Sequence, residues 1–147
     1  MLIYMDCCCL NRPFDDQSQD KIRLESDAII AILSKCTKGD WQLAASDALD
    51  LEIAKIPDLM RKNKVLDLYC VSGEKIKLND FIKKRACEMR SSGVKAFDSL
   101  HAASAEYGRA DVLLTTDKGF LNAVKRCNLS IRADNPLNWF MEVIENG

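Results

Sequence analysis

The chain has 147 residues, of which 48% are hydrophobic and 29% charged, and its formal net charge at pH 7 is −1. This length and apolar content suffice for a buried core, so we expect one globular domain, residues 1–147. The small net charge argues against a protein that binds nucleic acid by general attraction, but it does not argue against a nuclease whose site is built from carboxylates.

The cysteines and the hydropathy pattern bear on the cellular compartment. Seven cysteines are an odd number, and three of them, Cys7 to Cys9, are consecutive, so they cannot form ordinary disulfides with each other. This usage fits a reducing compartment. No segment resembles a secretory leader, and no apolar run approaches the roughly 18 residues of a membrane span. We therefore expect a soluble, cytoplasmic protein without membrane association.

The first half of the chain predicts two strands that alternate with helices. Leu2–Met5 is a short apolar run that ends at Asp6, which predicts a buried first strand, and residues 7–16, with Pro13, predict a loop. The other predicted elements are a helix at residues 18–36, a strand at residues 41–45, a helix that Ser46 caps and that carries Glu52, and a helix at residues 58–68 that Pro57 starts.

The second half continues the same alternation. Its predicted elements are a helix capped by Asn79 or Asp80 that ends near Arg90, a helix at residues 95–107, a strand at residues 112–115, a helix at residues 120–127, a strand at residues 129–132 and a last helix that Pro136 opens. This alternation predicts an α/β fold with a mainly parallel sheet, covered by helices on both faces. Such sheets place their sites at the carboxyl ends of the strands.

Four acidic residues are predicted to meet at that edge of the sheet. Asp6 and Asp117 each directly follow a predicted strand. Glu52 lies on the helix after the second strand, and Asp98 lies in the first turn of a later helix, where the helix dipole favours its ionised form. Close carboxylates repel each other, and a hard divalent cation with oxygen ligands resolves this conflict. Each acid alone is also explained by helix capping, so the hypothesis rests on their combination.

His101 is the only histidine, which excludes a mechanism with two imidazoles as acid and base. It lies three residues after Asp98 on the same helix face, and we interpret it as a packed or hydrogen-bonded neighbour rather than as a catalyst. Hydrolysis of a phosphodiester by these residues would therefore require metal-bound water as the nucleophile.

Four segments together resemble the PIN-domain proteins, the metal-dependent ribonuclease fold of the VapC-type toxins in bacterial toxin–antitoxin pairs. They are YMD at residues 4–6, SDALDLE at residues 46–52, FDSLHAASA at residues 97–105 and LLTTDKGF at residues 113–120. The third resembles the family's aspartate-x-leucine-histidine helix, and the fourth resembles its threonine-x-aspartate turn. The segment LNRPFDDQ, residues 10–17, also resembles one branch of the family.

The resemblance implies a three-layer α/β/α PIN-like fold and a role for each acidic residue. It makes Asp6, Glu52, Asp98 and Asp117 the quartet that binds Mg²⁺ or Mn²⁺, with Thr115 as the supporting hydroxyl residue. It implies an endoribonuclease that cuts single-stranded RNA with metal-activated water. It further implies a homodimer and a cognate antitoxin that blocks the groove.

Two alternatives stay open for the site and its function. Asp47 and Asp50 lie on the same segment as Glu52 and compete with it for the fourth position. Cys7 and Cys8 stand where the family usually has serine, threonine or another small polar residue, and a thiol is a poorer hydrogen-bond partner than a hydroxyl. A PIN fold with weak or no catalysis, acting as an RNA-binding or regulatory protein, is therefore the main functional alternative.

Other classes of site fit the sequence less well. A phosphorelay receiver domain needs a second acidic residue beside Asp6 and a spare aspartate at the end of a central strand, and the chain has neither. A structural zinc site needs paired cysteines, whereas the cysteines beyond Cys9 are scattered singly. We expect Cys9 to turn into the core, as small buried thiols often do.

Overall fold

The computed structural model describes all 147 residues, which form six strands and eight helices. The strands are β1 (Leu2–Met5), β2 (Gln42–Leu43), β3 (Ala45–Ser46), β4 (Lys75–Ile76), β5 (Val112–Leu114) and β6 (Arg132–Asp134). The helices are α1 (Cys7–Asn11), α2 (Asp20–Thr37), α3 (Asp47–Ala54), α4 (Leu59–Tyr69), α5 (Asp80–Ser91), α6 (Ala96–Tyr107), α7 (Lys118–Lys125) and α8 (Pro136–Asn146). None of these helices combines the length and the apolar character that crossing a membrane requires.

Four strands form a parallel central sheet in the order β2-β1-β5-β6. After β1 the chain moves to one side of the sheet, and after β5 it moves to the other side, so the boundary between β1 and β5 is a topological switch point. Right-handed crossovers then place α2 on one face and α6 and α7 on the opposite face. In agreement, α2 packs with α8, and α6 packs with α5. The predicted α/β fold with a mainly parallel central sheet is confirmed.

The two central strands form the middle of the hydrophobic core. Every residue from Ile3 to Met5 and from Val112 to Leu114 is buried. Strands covered on both faces read as continuous apolar runs, which is why both were recognisable in the sequence. Tyr4 is the one residue of these strands with a polar side-chain group. Its side chain is fully buried, so its hydroxyl needs a hydrogen-bond partner inside the protein.

The segment after β1 is helical, so the prediction of a loop at residues 7–16 is wrong. Asp6 caps α1 because its Oδ1 accepts the backbone N–H of Cys9 at 3.1 Å. Pro13 lies in the first turn of a 3₁₀ helix, Arg12–Phe14, where its missing N–H costs no hydrogen bond. The capping aspartate and the proline are local signals for helix starts. The residues between them are too few to show the periodic spacing of apolar residues that predicts a helix, so these signals were not recognised.

Ion pairs hold this helical segment against the rest of the protein. The Arg12 guanidinium lies 3.2 Å from Oε1 of Glu25 on α2, a carboxylate that is only 1% exposed. Asn135, at the start of α8, donates its side-chain N–H to the other Glu25 oxygen at 2.5 Å. Arg61 on α4 pairs with Asp15 at 2.8 Å. The residues that follow Asp6 are therefore fixed by α2, α4 and α8.

The prediction of one continuous strand at residues 41–45 is wrong, because this segment forms two short strands, β2 and β3, that belong to different sheets. The chain follows β1 as far as Ala44, whose N–H donates to the Ile3 carbonyl at 2.8 Å. It then leaves the central sheet, and β3 pairs in parallel with β4 in a second, two-stranded sheet. The strand β4 was not predicted, because its two residues lie among charged neighbours and show no apolar run.

The prediction of a strand at residues 129–132 is displaced from the observed strand β6. Leu129 and Ile131 alternate as strand residues do, but they pack partly buried against the core from an irregular segment between α7 and β6. The ladder with β5 begins only at Arg132 and ends with Asp134 opposite Leu114. The predicted helix starts at Ser46, Pro57, Asn79 and Pro136 are confirmed to within two residues.

Candidate active site

A cavity of about 620 Å³ opens at the carboxyl ends of β1 and β5, beside the topological switch point. All four acids named from the sequence line it, namely Asp6, Glu52, Asp98 and Asp117. The strands β1 and β5 deliver two of them, and the packed helices α3 and α6 deliver the other two. The fold thus brings together residues that lie more than a hundred positions apart in the chain.

Asp6 and Asp117 are both helix caps and cavity residues. Each uses Oδ1 for capping: Asp6 accepts the N–H of Cys9, and Asp117 accepts the N–H of Phe120 at 3.2 Å. Capping therefore leaves Oδ2 of each carboxylate available for another ligand. The buried hydroxyl of Thr115 accepts the backbone N–H of Asp117 at 3.0 Å, which shapes the turn that carries this acid.

Burial and the neighbouring carboxylates of Asp6 and Asp117 raise the pKa of Asp98 to about 6. Desolvation and like charges therefore outweigh the helix-end interaction that favours the ionised form, although a carboxyl with this pKa is still mostly ionised at pH 7, as expected from the sequence. Burial likewise raises the pKa of Asp6. Both raised pKa values reflect the energetic cost of negative charge at this site. A cation bound among these oxygens would offset that cost.

No lysine or arginine forms an ion pair with any of the four carboxylates. When several carboxylates lie this close together for a purely structural reason, lysine or arginine side chains usually pair with them, because unpaired buried charges are costly. The donors here are oxygens, which are the ligands that Mg²⁺ and Mn²⁺ prefer. The residues present therefore fit a hard divalent cation.

The structure favours Glu52 over its two sequence neighbours as the fourth acid. Asp47 accepts the backbone N–H of Leu78 at 2.9 Å, and Asp50 accepts the Tyr69 hydroxyl at 2.8 Å. Neither of these aspartates lines the cavity. Among the acids of α3, only Glu52 does so.

A buried hydrogen-bond chain holds Glu52 in place. His101 is fully buried, with Nε2 at 2.8 Å from Glu52 Oε1 and Nδ1 at 2.7 Å from the Tyr4 hydroxyl, which lies 2.7 Å from Ser46 Oγ. The Glu52 carboxylate can only accept, so His101 donates Nε2–H to it. With the ring proton on Nε2, Nδ1 accepts from the Tyr4 hydroxyl, and Tyr4 accepts in turn from Ser46 Oγ.

This chain confirms that His101 is a hydrogen-bonded neighbour of the acids, and it adds two residues that sequence reasoning missed. Tyr4 and Ser46 act on Glu52 only through His101. The one sequence signal for Tyr4 was a hydroxyl within an otherwise apolar strand. Ser46 was recognised only as a helix cap.

Cys8 is the part of the cysteine run that faces the site. Its thiol donates to Asp6 Oδ1 at 2.8 Å, and the Thr116 hydroxyl donates to its sulfur at 3.1 Å. Cys8 also lines the cavity with the four acids. A sulfur atom therefore stands beside the carboxylates where a hydroxyl oxygen would be a harder ligand and a stronger hydrogen-bond partner.

The other two cysteines of the run differ in their surroundings. Burial raises the pKa of the Cys7 thiol to about 12, so this residue stays a neutral wall of the cavity. Cys9 is confirmed as a core residue, since it is fully buried and its thiol donates to the Leu114 carbonyl at 3.3 Å. The ligand atoms of Asp6, Cys8 and Cys9 lie within 4.8 Å of one another, but Cys9 does not line the cavity.

We expect Cys8→Ser to bind Mg²⁺ about 3- to 10-fold more tightly than the wild type, because the substitution puts a hard oxygen beside Asp6. Isothermal titration calorimetry with Mg²⁺ measures this change. Cys87→Ser, at an exposed position on α5, is the matched control and should leave the affinity unchanged. An unchanged affinity in Cys8→Ser would mean that this side chain does not influence the cation, and a weaker affinity would contradict the argument that a hard oxygen binds better at this position.

Basic and aromatic side chains border the carboxylates. Lys55 and Phe97 line the main cavity, and the Lys55 ammonium lies 4.8 Å from the centroid of the Phe97 ring. A smaller adjoining cavity of about 130 Å³ shares Asp98 with the main one, and Lys95 and Arg126 line it. Basic side chains therefore line both cavities that these acids border.

Neither a protein-family model nor a curated protein matches this sequence. Among solved structures, the chain is similar to a chain in the crystal structure of VapBC2 from Rickettsia felis bound to a DNA fragment from their promoter, with a TM-score of 0.61 and 17% sequence identity. The match covers 92% of this chain and 98% of the other. At this identity the likeness shows the fold alone, and that fold is the PIN-like α/β arrangement that the sequence predicted.

Proposed function

We propose that this protein is a Mg²⁺- or Mn²⁺-dependent endoribonuclease that cleaves single-stranded RNA. One observation carries the proposal: Asp6, Glu52, Asp98 and Asp117 converge on one cavity without a cationic partner. The cavity lies where parallel α/β sheets place their sites, outside the carboxyl ends of strands at a switch point.

Each carboxylate has a distinct part in this proposal. Asp6, Asp98 and Asp117 would hold the cation, and Glu52 would complete the acidic set in the orientation that His101 imposes. When bound, the cation lowers the pKa of water and stabilises negative charge on the reacting phosphate. Asp98 is partly protonated near pH 6, so it must lose its proton before it can serve as a ligand.

The charges around the acids support a polyanionic substrate. The carboxylates alone would repel a phosphodiester, but Lys55 lines the same cavity, and Lys95 and Arg126 line the smaller cavity that adjoins it. This arrangement suits a strand whose phosphates cross the cavity and pair with basic groups before and after the reacting phosphate. The carboxylate chemistry itself does not require a 2′-hydroxyl, so cleavage of DNA is an outcome that the same assay measures.

The proposed biological role is the toxin of a type II toxin–antitoxin pair in the cytoplasm. The fold shared with the VapBC2 structure supports this role. Leu59 and Met60 on α4 also leave 67% and 71% of their surfaces exposed, which suits a surface that a cognate antitoxin or a second copy of the chain covers. A short open reading frame that overlaps this gene would be the candidate antitoxin.

We expect the purified protein to cleave single-stranded RNA in Mg²⁺ or Mn²⁺ and to lose this activity in EDTA. Asp117→Asn should lower the cleavage rate about 100-fold or more, because it replaces a charged cation ligand with a neutral one. Gel analysis of an end-labelled RNA measures both effects, and Asp27→Asn, at an exposed position on α2, is the matched control. RNA binding without turnover at any metal concentration would favour the binding-only alternative.

A further inference from the structure

Phe97 forms an aromatic wall of the main cavity, directly beside the acidic cluster. It precedes Asp98 in the first turn of α6, and it is partly exposed. Unlike Ile56, which also lines the cavity, Phe97 is not among the side chains that pack against the hydrophobic core. Its ring instead lies near the His101 ring, with centroids 6.3 Å apart, and beneath the Lys55 ammonium. Core packing therefore does not account for a phenylalanine at this position.

Lys55 is the only basic residue that lines the main cavity. Its ammonium lies over the Phe97 ring, 4.8 Å from the centroid, and it pairs with none of the four carboxylates. This cation–π contact is weak at an exposed site, whereas a nucleobase stacks on an aromatic ring more strongly. A base that entered the cavity would displace the ammonium from the ring at little cost. The freed ammonium would then be available for a phosphate.

The size and the surroundings of the cavity match such a ligand. Its volume of about 620 Å³ is within the range of pockets that enclose small organic molecules. Ile56 and Pro57 add apolar surface to the lining of the cavity, and the carboxylates would lie next to the phosphate of the bound nucleotide. Beyond them, Lys95 and Arg126 line the smaller cavity, where the following phosphate would bind.

We propose that the main cavity binds one unpaired nucleobase of the RNA, stacked on Phe97, while Lys55 leaves the ring and pairs with a backbone phosphate. The inference rests on the proposed nuclease function and adds the reason for its preference for single strands. The face of a base is available for stacking on a side chain only when the base is unpaired, and a duplex hides it.

The test uses a fluorescein-labelled single-stranded oligoribonucleotide, with Ca²⁺ in place of Mg²⁺ so that binding is measured apart from turnover. We expect Phe97→Ala and Phe97→Leu to weaken binding about 10-fold, because neither side chain offers an aromatic face. Phe97→Trp should bind about as well as the wild type. Fluorescence anisotropy measures each dissociation constant, and calorimetric Mg²⁺ affinity, expected to be unchanged, shows that Asp98 is intact.

A double-mutant cycle identifies the stacked base. One abasic nucleotide is placed at each position of the oligoribonucleotide in turn, and binding to the wild type and to Phe97→Ala is compared. At one position the missing base should weaken wild-type binding about 10-fold and leave the variant unaffected, because the variant has already lost that stack. Equal losses in both proteins at every position would overturn the inference.

Lys55→Ala should weaken binding and lower the slope of log affinity against log salt by about 0.7, as expected for one lost phosphate contact with a single strand. Lys84→Ala, at an exposed position on α5, is the control with an unchanged slope. If Phe97→Leu binds like the wild type while Mg²⁺-dependent cleavage persists, the base-binding inference fails and the nuclease function stands. If binding depends on Phe97 but no cleavage occurs, the inference stands and the nuclease function fails.

Discussion

Asp98→Asn is expected to stabilise the metal-free protein at pH 7.5, in contrast to most substitutions at a packed site. The wild-type carboxyl has a pKa of about 6 in the folded protein against an ordinary value of 3.8. Above pH 6 it is charged in both states, and the folded state bears the cost of the charge. Below about pH 4 it is protonated in both states, and the cost vanishes. The wild type therefore gains stability from this group as the pH falls from 7 to 4.

The expected gain for Asp98→Asn is about 1 to 2 kcal/mol in the free energy of unfolding at pH 7.5, a value reduced because the side chain is only half-buried. This corresponds to a rise in melting temperature of roughly 3 to 6 °C. Thermal unfolding in EDTA at pH 7.5 and at pH 4 measures it, and the difference should nearly disappear at the lower pH. A variant less stable than the wild type in EDTA at pH 7.5 would contradict the prediction.

Addition of Mg²⁺ should reverse the order of stability. The cation stabilises the wild type through binding to the folded state, and the loss of one ligand weakens this effect in Asp98→Asn. The same substitution should lower RNA cleavage about 100-fold or more. Asp27→Asn, which removes an exposed carboxyl on α2, should change neither the melting temperature nor the rate. Stability gained together with activity lost is typical of a group kept for function.

His101→Ala is expected to lower the free energy of unfolding by about 3 kcal/mol. The substitution leaves a cavity in a fully buried region and removes a hydrogen-bond partner from both Tyr4 and Glu52. Tyr4→Phe is the matched variant: it breaks the chain one step further from Glu52 and should cost about 1 to 2 kcal/mol. Urea-induced unfolding measures both values.

Cleavage kinetics separate positioning by His101 from proton transfer. If His101 only orients Glu52, Tyr4→Phe should lower kcat less than His101→Ala does, and the pH–rate profile of each variant should keep the shape of the wild-type profile. The loss of one limb of the profile in His101→Ala alone would mean that the imidazole transfers a proton. Wild-type kcat in His101→Ala would show that the orientation of Glu52 is irrelevant to catalysis.

Much of the architecture was predictable because the signals that encode it are local. The apolar runs of β1 and β5 are continuous, and Ser46, Asn79 and Pro136 mark helix starts through their own side chains. The errors lie where local signals are weak or misleading. The strand β4 has two residues, and Leu129 and Ile131 alternate like a strand although they lie in an irregular segment.

The candidate site divides in the same way. The positions of Asp6 and Asp117 follow from strand ends, but the choice of Glu52 over Asp50 required the contact of Asp50 with Tyr69. The raised pKa of Asp98 follows from burial and from carboxylates on other elements, which a helix-dipole argument from its own turn does not include.

The sequence by itself determined the alternation of the longer helices with the strands of the central sheet, its parallel character and the chemical type of the acidic residues. These follow from apolar periodicity, capping and alternation, which act between residues close in the chain. Only the tertiary structure decided that the four acids share one cavity, that His101 links Glu52 to Tyr4, and that Phe97 lies outside the core. Desolvation, like-charge repulsion and side-chain partners depend on residues far apart in the chain, and no local pattern encodes them.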